Sequence, residues 1–286
     1  MSKIKTVVIT GSTGGIGREI AKILALRGDN LILLNRSETK SEAQRSELLA
    51  AHPNLNIELV IADLTDTTEI ANAITKINAL PGRVDALYNN SGILTSEKLL
   101  SAQGYESQFA VNVLAPYDLT LGLKDKMARP TGESPGVVVL FSSSAINSQK
   151  TLNLDELANP KKVSGLMGTY AQTKLAVTAL VPVLSNRLRA DNILVRAVDP
   201  GATKTAMTTS GNSGMPKILQ WLAPLLFSPA DKQAAKVVDS ADPSAFAGQT
   251  GLYLANQKQR KFPKPASDKA IQKQLIAMLD AALEKE

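Results

Sequence analysis

Short apolar runs alternate with longer segments of helical period along most of the chain. Thr6 to Ile9, Leu31 to Leu34, Ile57 to Ile61, Val84 to Tyr88, Val137 to Phe141, Ile193 to Val198 and Gly251 to Ala255 read as seven strands. Between them apolar residues recur three and four apart, as at Ile16, Ile20, Ile23 and Leu24, or at Ile70, Ile74 and Ile77. That spacing predicts helices over Ile16 to Leu26, Glu38 to Ala51, Thr67 to Leu80, most of Gln103 to Arg129, Thr169 to Ala190, and residues 230–239. The strands are apolar on both sides rather than alternating, as in a parallel sheet covered on both faces. A single doubly wound α/β domain over residues 1–286 is expected, with a seven-stranded parallel sheet. Residues 151–168 break the rhythm as a polar insertion. Residues 205–229 read as a loop and an apolar helix, and 268–285 as an amphipathic C-terminal helix.

Composition narrows the chemistry. At 286 residues the chain is within reach of one α/β domain. It has no cysteine, so disulfides, iron–sulfur clusters and thiolate zinc sites are excluded. His52, in Ala51-His52-Pro53, is the only histidine, which removes most triads and two-histidine metal sites; no metal is expected. The net charge of +6 is spread along the chain, its densest patch running from Lys258 to Lys264. No basic run accompanies a nucleic-acid-binding element, so no nucleic-acid partner is expected. No apolar run approaches the ~18 residues of a membrane span, and no secretory pattern opens the sequence, so a cytoplasmic protein is expected.

The first strand runs into Thr10-Gly11-Ser12-Thr13-Gly14-Gly15-Ile16-Gly17. Glycines allow a tight turn and bring the backbone close to a pyrophosphate. The helix after them offers free N–H groups and its positive end. Lying between a strand and a helix, this stretch predicts a dinucleotide site and a Rossmann-type domain. The second strand ends in Asn35-Arg36. An NAD site wants a carboxylate there, whereas a guanidinium pairs with a 2′-phosphate, so NADP(H) is favoured, with NAD(H) as the alternative. Asp63 after the third strand could accept from an adenine amino group, and Asn89-Asn90-Ser91-Gly92 after the fourth could hold a turn beside the ribose.

Tyr170 and Lys174 stand four apart, on one face of a helix. An ammonium beside a phenol favours phenolate and lowers its pKa, suiting it to proton transfer. Ser142, Ser143 and Ser144 end the fifth strand, the edge where open parallel sheets meet ligands, and a hydroxyl there could polarise a carbonyl.

In this order the pieces resemble the classical short-chain dehydrogenase/reductase family: the glycine turn, Asp63-Leu64, Asn89 to Gly92, Asn112, Phe141 to Ser144, Tyr170-Ala-Gln-Thr-Lys174 and Pro200-Gly201. The resemblance implies Ser143 as catalytic serine, Tyr170 as acid/base, Lys174 on the nicotinamide ribose, and Asn112 fixing a relay water. It implies cofactor contacts from Gly11, Ser12, Thr13, Gly15, Ile16, Gly17, Arg36, Asp63, Leu64, Asn90, Gly92, Tyr170, Lys174, Pro200, Gly201, Thr203 and Thr205. The wide spacing between Ser143 and Tyr170, filled by the insertion, resembles the retinol-dehydrogenase-like branch, with Asp199 where a histidine often precedes Pro-Gly. Such a resemblance implies an NADP(H)-dependent carbonyl reductase or alcohol dehydrogenase for an apolar ketone, aldehyde or secondary alcohol. Apolar residues such as Met207, Trp221 and Phe227 would wall the pocket, and the family's habit is a homodimer or homotetramer. The alternatives are a dinucleotide-binding regulatory or scaffold protein on the same fold, and a dehydratase or epimerase.

Overall fold

The computed structural model describes residues 4–203 and 227–284. Along the chain run β1 (Thr6–Thr10), α1 (Gly15–Leu26), β2 (Asn30–Asn35), α2 (Glu38–Ala51), β3 (Ile57–Ile61), α3 (Thr67–Ala79), β4 (Ala86–Asn89), α4 (Ser107–Phe109), α5 (Ala115–Gly122), α6 (Lys124–Met127), β5 (Gly136–Phe141), α7 (Tyr170–Arg187), β6 (Ile193–Asp199), α8 (Ala230–Ser240), β7 (Leu252–Ala255), β8 (Lys258–Arg260), α9 (Lys264–Ser267) and α10 (Lys269–Leu283). The sheet order is β3-β2-β1-β4-β5-β6-β7-β8. β1 to β7 are parallel, and β8 returns antiparallel to β7.

Every residue of β5 and β6 is buried, because helices cover both faces of the sheet. Successive residues serve opposite layers, as the two-residue period of a strand requires. Val8, Val138 and Leu140 pack with α3, α5, α7 and α10, while Val7, Val137 and Val139 pack with α1, α2 and α8. Side-chain oxygens start several helices: Ser37 accepts from Lys40 N, Asp66 from Thr68 N, and Asp268 from Ala270 N and Ile271 N. The expected amphipathic tail is α10, whose Leu275 and Leu279 are fully buried in the first layer.

Two expectations are corrected. The sheet has eight strands rather than seven. β8 is an exposed polar strand with no hydrophobic run to reveal it, and Asn256 and Gln257 form its turn with φ of 51° and 57°. Most of Gln103 to Arg129 is helical, as expected. It is assembled from α4, a π-helical Ala110–Leu114, α5 and α6, and Pro116 has no N–H to continue an α ladder back to Asn112. Val84 and Asp85 precede β4 instead of opening it. The loop and helix expected over 205–229 lie outside the described residues except for the last three.

Arg196 is a fully buried cation in mid-β6. It donates to the carbonyls of Ser240, Asp242, Ala245 and Gln249, holding the loop that joins α8 to β7. Arg196→Met removes the guanidinium donors from four buried or half-buried carbonyls. Urea unfolding of that variant is expected to show a loss of at least about 3 kcal/mol.

Candidate active site

β1 and β4 are sheet neighbours, yet the chain leaves β1 towards β2 on one side and β4 towards β5 on the other. Such a reversal opens a crevice at the carboxyl ends of the strands. The cleft found there has a volume of about 660 Å³. Residues after β1, β2, β3, β4, β5 and β6 line it, together with the start of α7.

At one end of the cleft the glycine turn exposes backbone donors. Gly11 and Gly15 have φ of +66° and +56°, the left-handed region open to glycine. Gly17 is needed for space: a Cβ there would stand 2.4 Å from both Asn90 Nδ2 and the Gly11 carbonyl. No side chain caps α1, and its first turn carries no acidic residue, so its N–H groups and positive end face the cleft. These features fit the phosphates of a dinucleotide.

Gly11, Thr13, Gly15, Ile16, Arg36, Asp63, Leu64, Asn90, Gly92, Pro200, Gly201 and Thr203 all line the cleft, as do Ser143, Tyr170 and Lys174. Thr205 lies outside the described residues. Ser12 and Gly17 are placed differently from the other turn residues, behind the cleft surface. The Ser12 hydroxyl is buried, donating to Gln44 Oε1 at 2.9 Å, and its N–H donates to Asn35 Oδ1 at 2.7 Å. Gln44 in turn donates to the Ser12 carbonyl. This network pins the turn to β2 and α2, and Gln44 had no motif to announce it. Asn90 Nδ2 donates to the carbonyls of Thr10 and Gly11. Arg36 is exposed, 3.7 Å from the Asp63 carboxylate, with Ser37 and Lys40 beside it in the wall.

At the other end, β5, β6 and α7 converge. Ser143, on the loop after β5, and Tyr170, at the start of α7, line the cleft together. Lys174 Nζ donates to the Phe141 carbonyl at 2.9 Å and lies 5.8 Å from the Tyr170 ring centre. The predicted effect of the lysine on the phenol does not dominate here. Burial pushes Tyr170 up to about 12, with the neighbouring Ser143 hydroxyl acting the other way and Asp199 raising it further. Burial also brings Lys174 down to about 8, with Asp199 pulling the other way.

Asn112 sits in the π-helical turn and is buried. Its Oδ1 accepts from Ile93 N, and its Nδ2 donates to the Ile93 carbonyl and to Thr173 Oγ1. The side chain thus fixes the loop after β4 to α7. The insertion is packed rather than loose. Leu152 and Leu157 are buried, and Gln172 donates to Gln149 Oε1 and the Thr151 carbonyl. Its Leu166 and Met167 line the cleft beside Leu94 and Ala145.

The family model for short chain dehydrogenase matches residues 5–154. The chain belongs to the short-chain dehydrogenase family. It is an NAD(P)(H)-dependent oxidoreductase of that family. Human retinol dehydrogenase 13 is 30% identical over 96% of this chain and 82% of its own length. Human polyprenol dehydrogenase is 28% identical over 95% of this chain and 82% of its own. A short-chain dehydrogenase from Sphingobium yanoikuyae, solved with NADPH, shares the fold with a TM-score of 0.67. It is 22% identical and is matched over 99% of this chain and 96% of that one. Among the described residues no helix is long and apolar enough to cross a membrane.

The close packing at Gly17 is testable. Gly17→Ala should leave a folded protein but lower NADPH affinity at least tenfold in a fluorescence titration, since Asn90 and the turn must give way.

Proposed function

We propose that this short-chain dehydrogenase is an NADP(H)-dependent carbonyl reductase or alcohol dehydrogenase of the retinol-dehydrogenase-like branch, acting on an apolar ketone, aldehyde or secondary alcohol. The observation that carries this is that Ser143, Tyr170 and Lys174 line one cleft, with Lys174 Nζ 5.8 Å from the Tyr170 ring centre. A protein that merely binds a dinucleotide has no need of a buried phenol and ammonium there.

The cofactor choice rests on the end of β2. Asn35 is neutral and engaged with Ser12, while Arg36 and Lys40 stand at the cleft rim. Their charges suit a 2′-phosphate, for which the Asp63 carboxylate would release Arg36. Gly11, Thr13, Gly15 and Ile16 would hold the pyrophosphate, Asp63 and Leu64 the adenine, and Asn90, Gly92, Tyr170 and Lys174 the nicotinamide ribose. Pro200, Gly201, Thr203 and Thr205 would meet the nicotinamide amide, while Ser12 and Gly17 act by shaping the turn. The NADPH-bound Sphingobium protein is consistent with that choice.

When bound, the nicotinamide supplies or accepts a hydride. The Ser143 hydroxyl donates to the substrate's carbonyl oxygen and orients it. Tyr170 gives that oxygen its proton in reduction and takes it back in oxidation. Lys174, buried beside the ring, stabilises the phenolate left behind and passes a proton on to it. The Asn112 carbonyl would hold the water that resupplies Lys174. Leu94, Ala145, Leu166, Met167 and Phe227 give the substrate end an apolar wall. Retinol and polyprenol, named in the two relatives, are alcohols of that apolar kind.

Titration with NADPH and NADH separately should show tighter NADPH binding, and Arg36→Asp should cut the preference by about 10- to 100-fold. Equal preference in that variant and the wild type refutes the role of Arg36. In a panel of apolar aldehydes and ketones, Tyr170→Phe should lose about 10²- to 10⁴-fold in kcat with NADPH binding largely kept. Turnover near the wild-type level would remove Tyr170 from the chemistry.

A further inference from the structure

Gln172 lies between Tyr170 and Lys174 on α7, yet it does not line the cleft and has no part in the chemistry above. Its amide is spent on the insertion instead. Oε1 accepts from Asn153 N at 2.9 Å, and Nε2 donates to Gln149 Oε1 at 2.6 Å and to the Thr151 carbonyl at 2.9 Å. Gln149 passes the tie on, its Nε2 donating to the Met167 carbonyl at 2.7 Å. At the far end of the insertion Ser164 and Thr169 bond each other twice. Thr169 N donates to the Ser164 carbonyl at 2.7 Å, and Ser164 N to Thr169 Oγ1 at 2.9 Å. Leu166 and Met167 are thus held between two sets of hydrogen bonds.

These two residues carry apolar surface outward from the phenol. Leu166 packs on a small cluster made by Leu94, Ala145, Tyr170 and Ala171, separate from the two core layers. Met167, next along the chain, also lines the cleft but is 55% exposed. A ligand whose oxygen lies at Tyr170 therefore covers more of this surface with each methylene it adds. The flexible thioether of Met167 can mould itself to such a chain. A wall that is already fixed spares the ligand the cost of ordering it.

We propose that Gln172 is a positioning residue: through Gln149 it holds Leu166 and Met167 as a preformed apolar lip, which makes the enzyme prefer compounds with an extended apolar chain over short ones. Where the ligand's oxygen sits rests on the proposed function; the bonds of the brace do not. A merely structural role for Gln172 would affect long and short ligands alike, whereas a brace on the lip affects long ones alone.

The full chain loaded with NADPH is titrated calorimetrically with straight-chain primary alcohols from butanol to nonanol. The reduced cofactor cannot accept a hydride, so these alcohols bind without reacting. In the wild type, affinity should rise about threefold for each added methylene that reaches the lip. Gln172→Met, of similar length but without the amide, should bind nonanol at least about tenfold more weakly, with butanol and NADPH kept within about twofold. Gln149→Leu, which frees the Met167 carbonyl, should show the same selective loss, and the double variant should add little to either. Gln149→Leu also serves alone if Gln172→Met does not fold. By hydrogen exchange, the Asn153 amide should exchange at least about tenfold faster in Gln172→Met. A wild-type affinity that does not rise with chain length overturns the proposal, as do folded variants that keep nonanol binding or weaken all the alcohols equally. If aldehydes and ketones are reduced with no dependence on chain length, the proposed function stands and the lip falls. If the graded binding and its loss are found but no aldehyde or ketone is reduced, the lip stands and the carbonyl-reductase reading falls.

Discussion

Taking a lysine ammonium out of water costs several kcal/mol unless acceptors receive it. Lys174 is buried, and the geometry around it is what makes it tolerable. β5 and β6 pair in register from Gly136 with Ile193 to Phe141 with Val198, so both strands end at the same level. That common level puts the Phe141 carbonyl within 2.9 Å of Nζ and leaves Asp199, one residue further on, facing the same charge. α7 must then lie across both strand ends, where Leu175, Leu180 and Leu184 anchor it in the core. This in turn sets the position of Tyr170, one turn before Lys174.

The dinucleotide end is governed by the opposite demand. There the backbone must keep its donors open, so no side chain caps α1. A loop left so open needs holding from behind. The Ser12, Asn35 and Gln44 network does this, and it uses the very residue at the end of β2 where a carboxylate would select for a ribose diol. Asn35 is thus a structural clamp, and the choice of cofactor passes to the next residues along, Arg36 and Lys40.

The sheet, its helices and most of the cleft lining are legible in the sequence because they rest on local rules. Apolar runs mark β1 to β7, and glycines between a strand and a helix mark the turn. The features that escape rest on long-range pairing. Lys258 to Arg260 have no hydrophobic pattern, and only their partnership with β7 makes them a strand. The break at Ala110–Leu114 depends on Pro116 and on Asn112 reaching Ile93, nineteen residues away. The direction of the Tyr170 shift is the reverse of the expected one, because spacing shows the nearby ammonium but not the burial, which outweighs it. Asp199 is visible in the sequence only as a departure from a family habit; its burial and the bond it accepts from Gly201 N are properties of the folded edge.

A single helical turn carries most of the site's mechanical coupling. Tyr170 and Lys174 share the face turned to the cleft, Thr173 holds Asn112, and Gln172 points to the insertion. Gln172 receives Asn153 N and donates to Gln149 and Thr151, while Gln149 donates to the Met167 carbonyl. Met167 is in the apolar wall. The wall that would select the substrate is therefore braced on the same turn that sets the reacting groups. The insertion cannot slide along the cleft without breaking the bonds to Gln172, and a shift of Gln172 moves its neighbours on either side. The bonds that brace the apolar wall and the groups that carry the phenol and the ammonium thus meet on one turn of α7.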